Sequence, residues 1–326
     1  MRISVSSLLA LFALTSTAFA EGSPNRKFTT SSIDLKRKLE PSPPVTHNVY
    51  LTFKYYSPVL EREVEQDVTV NLYATVVPKT VENFIQLSRN VKAKIQGRGE
   101  EVFTIGYPNS DILNIALNNM ILFGDVVPDV GPFSIHGPKW ADENFFLNHD
   151  RPGRLSMYNT GPNTQNSKFM IDLGLEGNSE RDNANVVFGQ IVDGLEKIID
   201  DMQYMEVDDK GKPSKKAIIE YATVEDQKHG NLENDHATYI KRLQDFRDGK
   251  VEVGTSMGDI LKEKINAAKQ GSTKTKKLSS KSNLTGDDKN NLFYLLGAIG
   301  IIYLAVAKVK KLPPFKNSKV VSMRRD

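Results

Sequence analysis

Residues 48–55 (NVYLTFKY) and 67–73 (DVTVNLY) alternate apolar and polar positions and are rich in β-branched and aromatic side chains. That pattern predicts two half-buried strands paired as a hairpin, with the charged segment 60–66 as their connection. At Pro78 the period changes. Val81, Phe84, Ile85 and Ser88 fall at i, i+3, i+4 and i+7, which predicts a helix with one mostly apolar face, and a proline suits its first turn. Residues 89–111 show neither period and read as a long surface loop. Residues 112–117 and 120–123 supply two short apolar runs, and 131–149 reads as an irregular loop. Residues 155–171 (LSMYNTGPNTQNSKFMI) then read as strand, Gly161-Pro162-Asn163 turn and strand. Residues 185–192 (NVVFGQIV) form another strand pattern. Leu195, Ile198, Ile199 and Met202 follow as a helical stripe, with Asp193 and Glu196 spaced as a capping box, and 216–224 (KAIIEYATV) supplies a closing strand. These elements delimit a globular unit at 46–226.

The flanking segments are patterned differently. Residues 1–20 combine Arg2, an apolar centre and Ala18-Phe19-Ala20, the layout of a secretory signal peptide. Residues 21–45 are polar, contain Pro41-Ser42-Pro43-Pro44 and read as a flexible, extended leader. Residues 227–291 turn abruptly charged. Tyr239, Leu243 and Phe246 define one amphipathic face and Ile260, Leu261 and Ile265 another; such helices can pack on the globular unit, pair with a partner or form a stalk, and the stalk is preferred. Residues 292–309 are apolar on all sides apart from Lys308, which predicts one short transmembrane helix.

Charge sharpens that topology. The formal net charge of +3 is concentrated at the end of the chain, where seven lysines and arginines from Lys308 onwards face only Asp326. The positive-inside rule places the tail, 310–326, in the cytosol and the globular unit in the lumen of the secretory route, in the endoplasmic reticulum or a later compartment. With the tail set aside the chain is net acidic, so it carries no footprint for nucleic acid. Cysteine is absent, which excludes disulfides and thiolate chemistry. His136 and His149 lack carboxylate or histidine neighbours at metal-binding spacing, and neither metal nor cofactor is expected. Trp140, the sole tryptophan, reads as a packing residue. Asn283-Leu284-Thr285 is a glycosylation sequon on the lumenal side.

The blocks VPKTVENF (77–84), DENF (142–145), the 155–171 stretch and NVVFGQIV (185–192) occur in an order that resembles the cyclophilin family of prolyl cis-trans isomerases. The resemblance covers 46–226 and implies a mainly β fold, a closed antiparallel barrel capped by two α-helices. It also implies isomerisation of proline-containing peptide segments in folding secretory proteins. In the family an arginine interacts with the prolyl amide beside an apolar pocket. Against the family pattern F-H-R-I-I-P-G-F-M-x-Q-G-G-D this chain has residues 112–125, so the arginine position is Asn114, with the pocket positions Asn119, Met120 and Leu122. Against M-A-N-A-G-P-N-T-x-x-S-Q-F-F it has 157–170, which makes Tyr158, Asn159, Lys168 and Met170 the corresponding binding positions; Asn185 stands for a histidine. The nearest arginines to Asn114 are Arg98 and Arg151. A neutral amide in place of a guanidinium predicts attenuated turnover and weak or no cyclosporin binding. The alternative is a catalytically silent module that binds peptides or a partner at the membrane.

Overall fold

A computed structural model of the chain describes residues 30–95, 99–127 and 130–261, and the backbone of 320–322. The paired strands are β1 (Lys38–Leu39), β2 (His47–Ser57), β3 (Arg62–Leu72), β4 (Val91–Lys94), β5 (Val102–Ile105), β6 (Ser110–Ala116), β7 (Met120–Phe123), β8 (Arg154–Met157), β9 (Phe169–Asp172), β10 (Val187–Asp193), β11 (Ile218–Asp226), β12 (Thr255–Ser256) and β13 (Val320–Ser322). Eight of them close into an antiparallel barrel in the order β10-β3-β2-β11-β6-β7-β9-β8. The reason lies in period-two burial. Val49, Leu51, Phe53 and Tyr55 point inwards from β2, and Ile121, Phe123, Phe169 and Ile171 do so from β7 and β9.

Helix α1 (Pro78–Ser88) buries Val81, Phe84 and Ile85 against this core, as the i, i+3, i+4 spacing predicts. Phe84 meets the rings of Tyr107, Phe169 and Phe188 at centroid distances of 4.9, 5.1 and 5.0 Å. Helix α2 (Leu195–Asp200) buries Leu195, Ile198 and Ile199, and Met202 continues the stripe into a short 3-10 turn. The expected capping box is not formed. Asp193 ends β10, and the N-cap is Gly194 at φ 81, where a Cβ would approach the Asp67 carbonyl to 2.5 Å, so only glycine fits the junction.

Three other expectations change. The connection 60–66 shrinks to a tight turn, because β3 begins at Arg62 and pairs with β2 along its whole length. Residues 89–111 are not simply loop: β4 and β5 form a hairpin, and Ile105 and Tyr107 are buried, the Tyr107 hydroxyl donating to the Ser167 carbonyl at 2.9 Å. β13 runs parallel beside β4.

The largest revision concerns the flanks of the barrel. Instead of a stalk, α3 (Leu232–Arg247) lies on the barrel and buries Tyr239 and Leu243 with Tyr73, Leu147 and Val187. β12 pairs with β1 from the leader, and α4 (Met257–Ile260) buries Met257 and Ile260 beside Ile33 and Leu39. Leader and C-terminal extension therefore hold each other against the barrel, since neither buries enough apolar surface alone. The described part of the leader is ordered by this pairing rather than flexible. Beneath α3, Arg151 and Arg154 are fully buried and share the carboxylate of Asp150, at 2.8 Å from Arg151 Nε and 3.0 Å from Arg154 Nη2. Burial pushes the Asp150 carboxyl up, but the two guanidinium charges outweigh it and hold it down to about 2.

Among the described residues no helix is long and apolar enough to cross a membrane. The expected signal peptide, the span 292–309 and Asn283 all lie outside the described residues.

Candidate functional site

Strand pairing assembles most of the expected site on the outer face of the barrel. Asn114 on β6 is opposite Leu122 on β7, and Leu122 is opposite Met170 on β9. One step along, Met120 is opposite Asp172. Because side chains alternate, Lys168, Met170 and Asp172 share the outward face while Phe169 and Ile171 enter the core. The result is a strip of Met120, Leu122 and Met170 with a cation near each end. Lys168 Nζ pairs with Asp125 Oδ1 at 3.1 Å, and Arg181 Nη1 with Asp172 Oδ2 at 2.8 Å. Met170 is 2% exposed, so the floor of the strip is nearly covered.

Asn114 itself is engaged. Its Nδ2 donates to the Lys210 carbonyl at 2.6 Å, and the neighbouring Ile115 N–H donates to the Gly211 carbonyl at 2.8 Å, so β6 pins the turn 208–212 beside the site. An asparagine amide has two N–H donors, and one is committed to this turn.

Asn119, Asn159 and Asn185 are tied to, or lie in, the segment that follows β9. Asn159 Nδ2 donates to the Ala184 carbonyl at 2.7 Å, and Asn185 Nδ2 to the Met157 carbonyl at 2.9 Å. Both hold residues 173–185 against the barrel, each through one of its amide N–H donors. Tyr158 N–H bonds the Lys168 carbonyl at 2.9 Å, and the Tyr158 side chain is half-buried. Asn119, in place of an aromatic pocket wall, accepts through Oδ1 from Asn178 Nδ2 at 3.3 Å and from Arg181 Nη2. Gly177 makes the tight return possible: at φ 89 a Cβ there would come within 2.3 Å of the His149 carbonyl.

Arg181 is the residue the sequence reading missed. It is far from Asn114 along the chain, and only the fold of 173–185 brings it to Asp172 and Asn119 beside the strip. The available signal was a lone arginine between two strands that line the site. Its partner Asp172 is fully buried; burial raises the carboxyl, against the opposing pull of Arg181 and the Gly174 N–H, to about 6. His149 is buried alongside, with Nδ1 3.0 Å from Asp182 Oδ1; loss of hydration lowers the imidazole to about 4 despite that carboxylate. Arg151, one of the arginines nearest Asn114 in sequence, is instead the buried partner of Asp150, and Arg98 lies outside the described residues.

Trp140 is partly buried, bridges to Gln165 through its backbone and sits edge-on to His136 with centroids 5.0 Å apart. A cleft of about 430 Å3 between the β2–β3 hairpin and α2 is lined by Tyr55, Arg62, Lys197 and Asp200 among others, and contains none of the expected site residues. Among the described residues no three His, Asp or Glu side chains converge as a metal site.

Comparison with known proteins points to one family. The family described as cyclophilin type peptidyl-prolyl cis-trans isomerase/CLD matches residues 59–224. Peptidyl-prolyl cis-trans isomerase CPR4 of Saccharomyces cerevisiae is 42% identical over 257 residues, 78% of this chain and 81% of that protein. Peptidyl-prolyl cis-trans isomerase CYP8 of the same yeast is 31% identical over 312 residues, 93% of this chain and 92% of its own. Yeast peptidyl-prolyl cis-trans isomerase D is 33% identical over 196 residues, covering 58% of this chain and 77% of its own.

Proposed function

Because the chain belongs to the cyclophilin-type peptidyl-prolyl cis-trans isomerases, we propose that it isomerises X-Pro bonds in proline-containing segments of secretory proteins, at a rate attenuated by its altered site. Rotation about a prolyl amide opposes resonance, with a barrier of about 18–20 kcal/mol. A catalyst lowers it by binding the twisted amide more tightly than either planar form. Two features serve that end: an apolar surface for the pyrrolidine ring and a donor for the nitrogen lone pair that localises on twisting. Met120 supplies the exposed part of the first, beside the nearly buried Leu122 and Met170. The second is weakened, and the observation that carries the proposal is the commitment of the neutral Asn114 amide to the Lys210 carbonyl.

The setting proposed with it is a membrane-anchored protein of the secretory route, in the endoplasmic reticulum or a later compartment, with the barrel lumenal and the tail cytosolic. The grounds are the signal-peptide layout of 1–20, the apolar run 292–309 and the basic end of the chain. Cyclosporin-type ligands bind weakly in this reading, because Asn119 and Met170 replace two aromatic walls.

The test is the isomerisation rate of a prolyl tetrapeptide with the full-length chain beside a cyclophilin that keeps the arginine. We expect kcat/KM at least tenfold lower but above the uncatalysed rate. Equal rates would refute attenuation. The near-complete burial of Met170 favours a second reading, a silent binding module; it predicts saturable binding of the peptide with no acceleration at all.

A further inference from the structure

We propose that Arg181 is the catalytic donor of this site, replacing from the 173–185 segment the cation that β6 lacks. The inference rests on the isomerase reading above and names the residue responsible for its residual turnover. Arg181 stands at one end of the Met120–Leu122–Met170 strip, fixed by two acceptors on different strands or strand ends, Asp172 Oδ2 at 2.8 Å and Asn119 Oδ1. A guanidinium has five N–H donors, of which these contacts use two. Its side chain is 14% exposed, so it is held in place yet still reaches the surface beside the strip.

The alternative cation is Lys168. It belongs at the opposite end of the strip, is 25% exposed and has one anionic partner, Asp125. A lysine ammonium is strongly hydrated and loosely oriented, whereas a planar guanidinium with two acceptors in place loses little further freedom when it donates again. Asp172 is the positioning residue. Burial of its carboxylate makes the pair unfavourable to break, because a lone carboxylate would be left without water.

No bond to substrate forms or breaks. As the X-Pro amide twists, conjugation is lost and the nitrogen becomes a better acceptor; an Arg181 N–H donates to it and withdraws as planarity returns. Such a contact is made in the twisted state and not in the planar ones, so its removal lowers kcat more than it changes KM.

The experiment uses the full-length chain and the prolyl tetrapeptide assay, with Arg181→Ala, Arg181→Lys, and the double variant Arg181→Ala/Asp172→Asn. The double variant removes the orphaned carboxylate and preserves folding if the single change does not. Circular dichroism and a thermal melt establish that each variant is folded. The expected result is a fall of at least tenfold in kcat in Arg181→Ala and in the double variant, KM within twofold, and incomplete rescue by Arg181→Lys. If the wild-type chain is active and the folded double variant matches it, Arg181 is structural only and the inference fails while the isomerase reading stands. If the wild-type chain shows no acceleration, the isomerase reading fails and the inference with it.

Discussion

Asn114 Nδ2 and the carbonyl oxygen of Lys210 are 2.6 Å apart, so the side chain at the family's arginine position serves a neighbouring turn. The turn is tightly seated: a Cβ on Gly211 would come within 2.3 Å of that same Nδ2. Asn114→Arg therefore removes a hydrogen bond and directs a longer side chain into occupied space. We expect a loss of about 1–2 kcal/mol in stability and only a partial gain in isomerisation. A thermal melt and the tetrapeptide assay check both. An unchanged Tm with a fully restored rate would show that the turn yields freely.

Leu243 is 2% exposed between α3 and the barrel, next to Tyr73 and Val187. Leu243→Ala should lower the unfolding free energy by about 2–5 kcal/mol, the range for a leucine deleted from a packed core. Urea unfolding of the full-length chain measures it. A change below about 0.5 kcal/mol, the size of an exposed-site effect, would mean that α3 does not pack on the barrel and acts as a stalk.

Two buried groups at the site titrate with opposite signs. Asp172, raised by burial to about 6, keeps its proton longer in the folded state than in the unfolded one, so it favours folding at low pH and that gain is lost as pH rises from about 4 to 6. His149, lowered by burial to about 4, must take up a proton on unfolding below its ordinary pKa. It therefore favours folding above about 6.5, and that gain is lost as pH falls to 4. Each effect is about 3 kcal/mol, and across pH 4–6.5 they oppose one another. Asp150, held near 2, adds acid sensitivity only below about pH 4. We expect Asp172→Asn to become more stable with rising pH over this window and His149→Gln to become less stable. Denaturant midpoints at pH 4.5, 5.5 and 6.5 read the two slopes; identical profiles for both variants would disprove the assignment.

Membrane topology is open to direct measurement. In sealed microsomes carrying the full-length chain, we expect resistance to carbonate extraction, a protease-protected barrel and a digestible tail, with endoglycosidase treatment shifting mobility if Asn283 is modified. Pairing of Val320–Ser322 with β4 needs the tail on the barrel's side, so the same digestion decides between that pairing and a tail across the membrane. Complete carbonate extraction would exclude the span.

The sequence by itself determined most of the strands and both capping helices, while the closed barrel was what the family resemblance implied. Alternation in residues 48–55 and the stripe Val81, Phe84, Ile85 are local signals, because side-chain direction follows the strand or helix period wherever an apolar face must be buried. Resemblance to the family motifs also numbered Asn114, Asn119, Met120, Leu122, Tyr158, Asn159, Lys168, Met170 and Asn185 as candidate positions. What those residues bond to was not legible. Asn114 is tied to Lys210, Asn119 to Arg181 and Asn159 to Ala184, pairs far apart in the chain that exist only after turns and β9 bring them together. The same holds for the flanks. Leu39 and Thr255 read as leader and stalk, because two-residue strands carry no periodic signature; they become structure only by pairing with each other on the barrel. Tertiary structure decided that a distant arginine stands at one end of the strip. A hydrogen bond depends on proximity in space, and no spacing in the sequence records that Arg181 returns to meet Asp172.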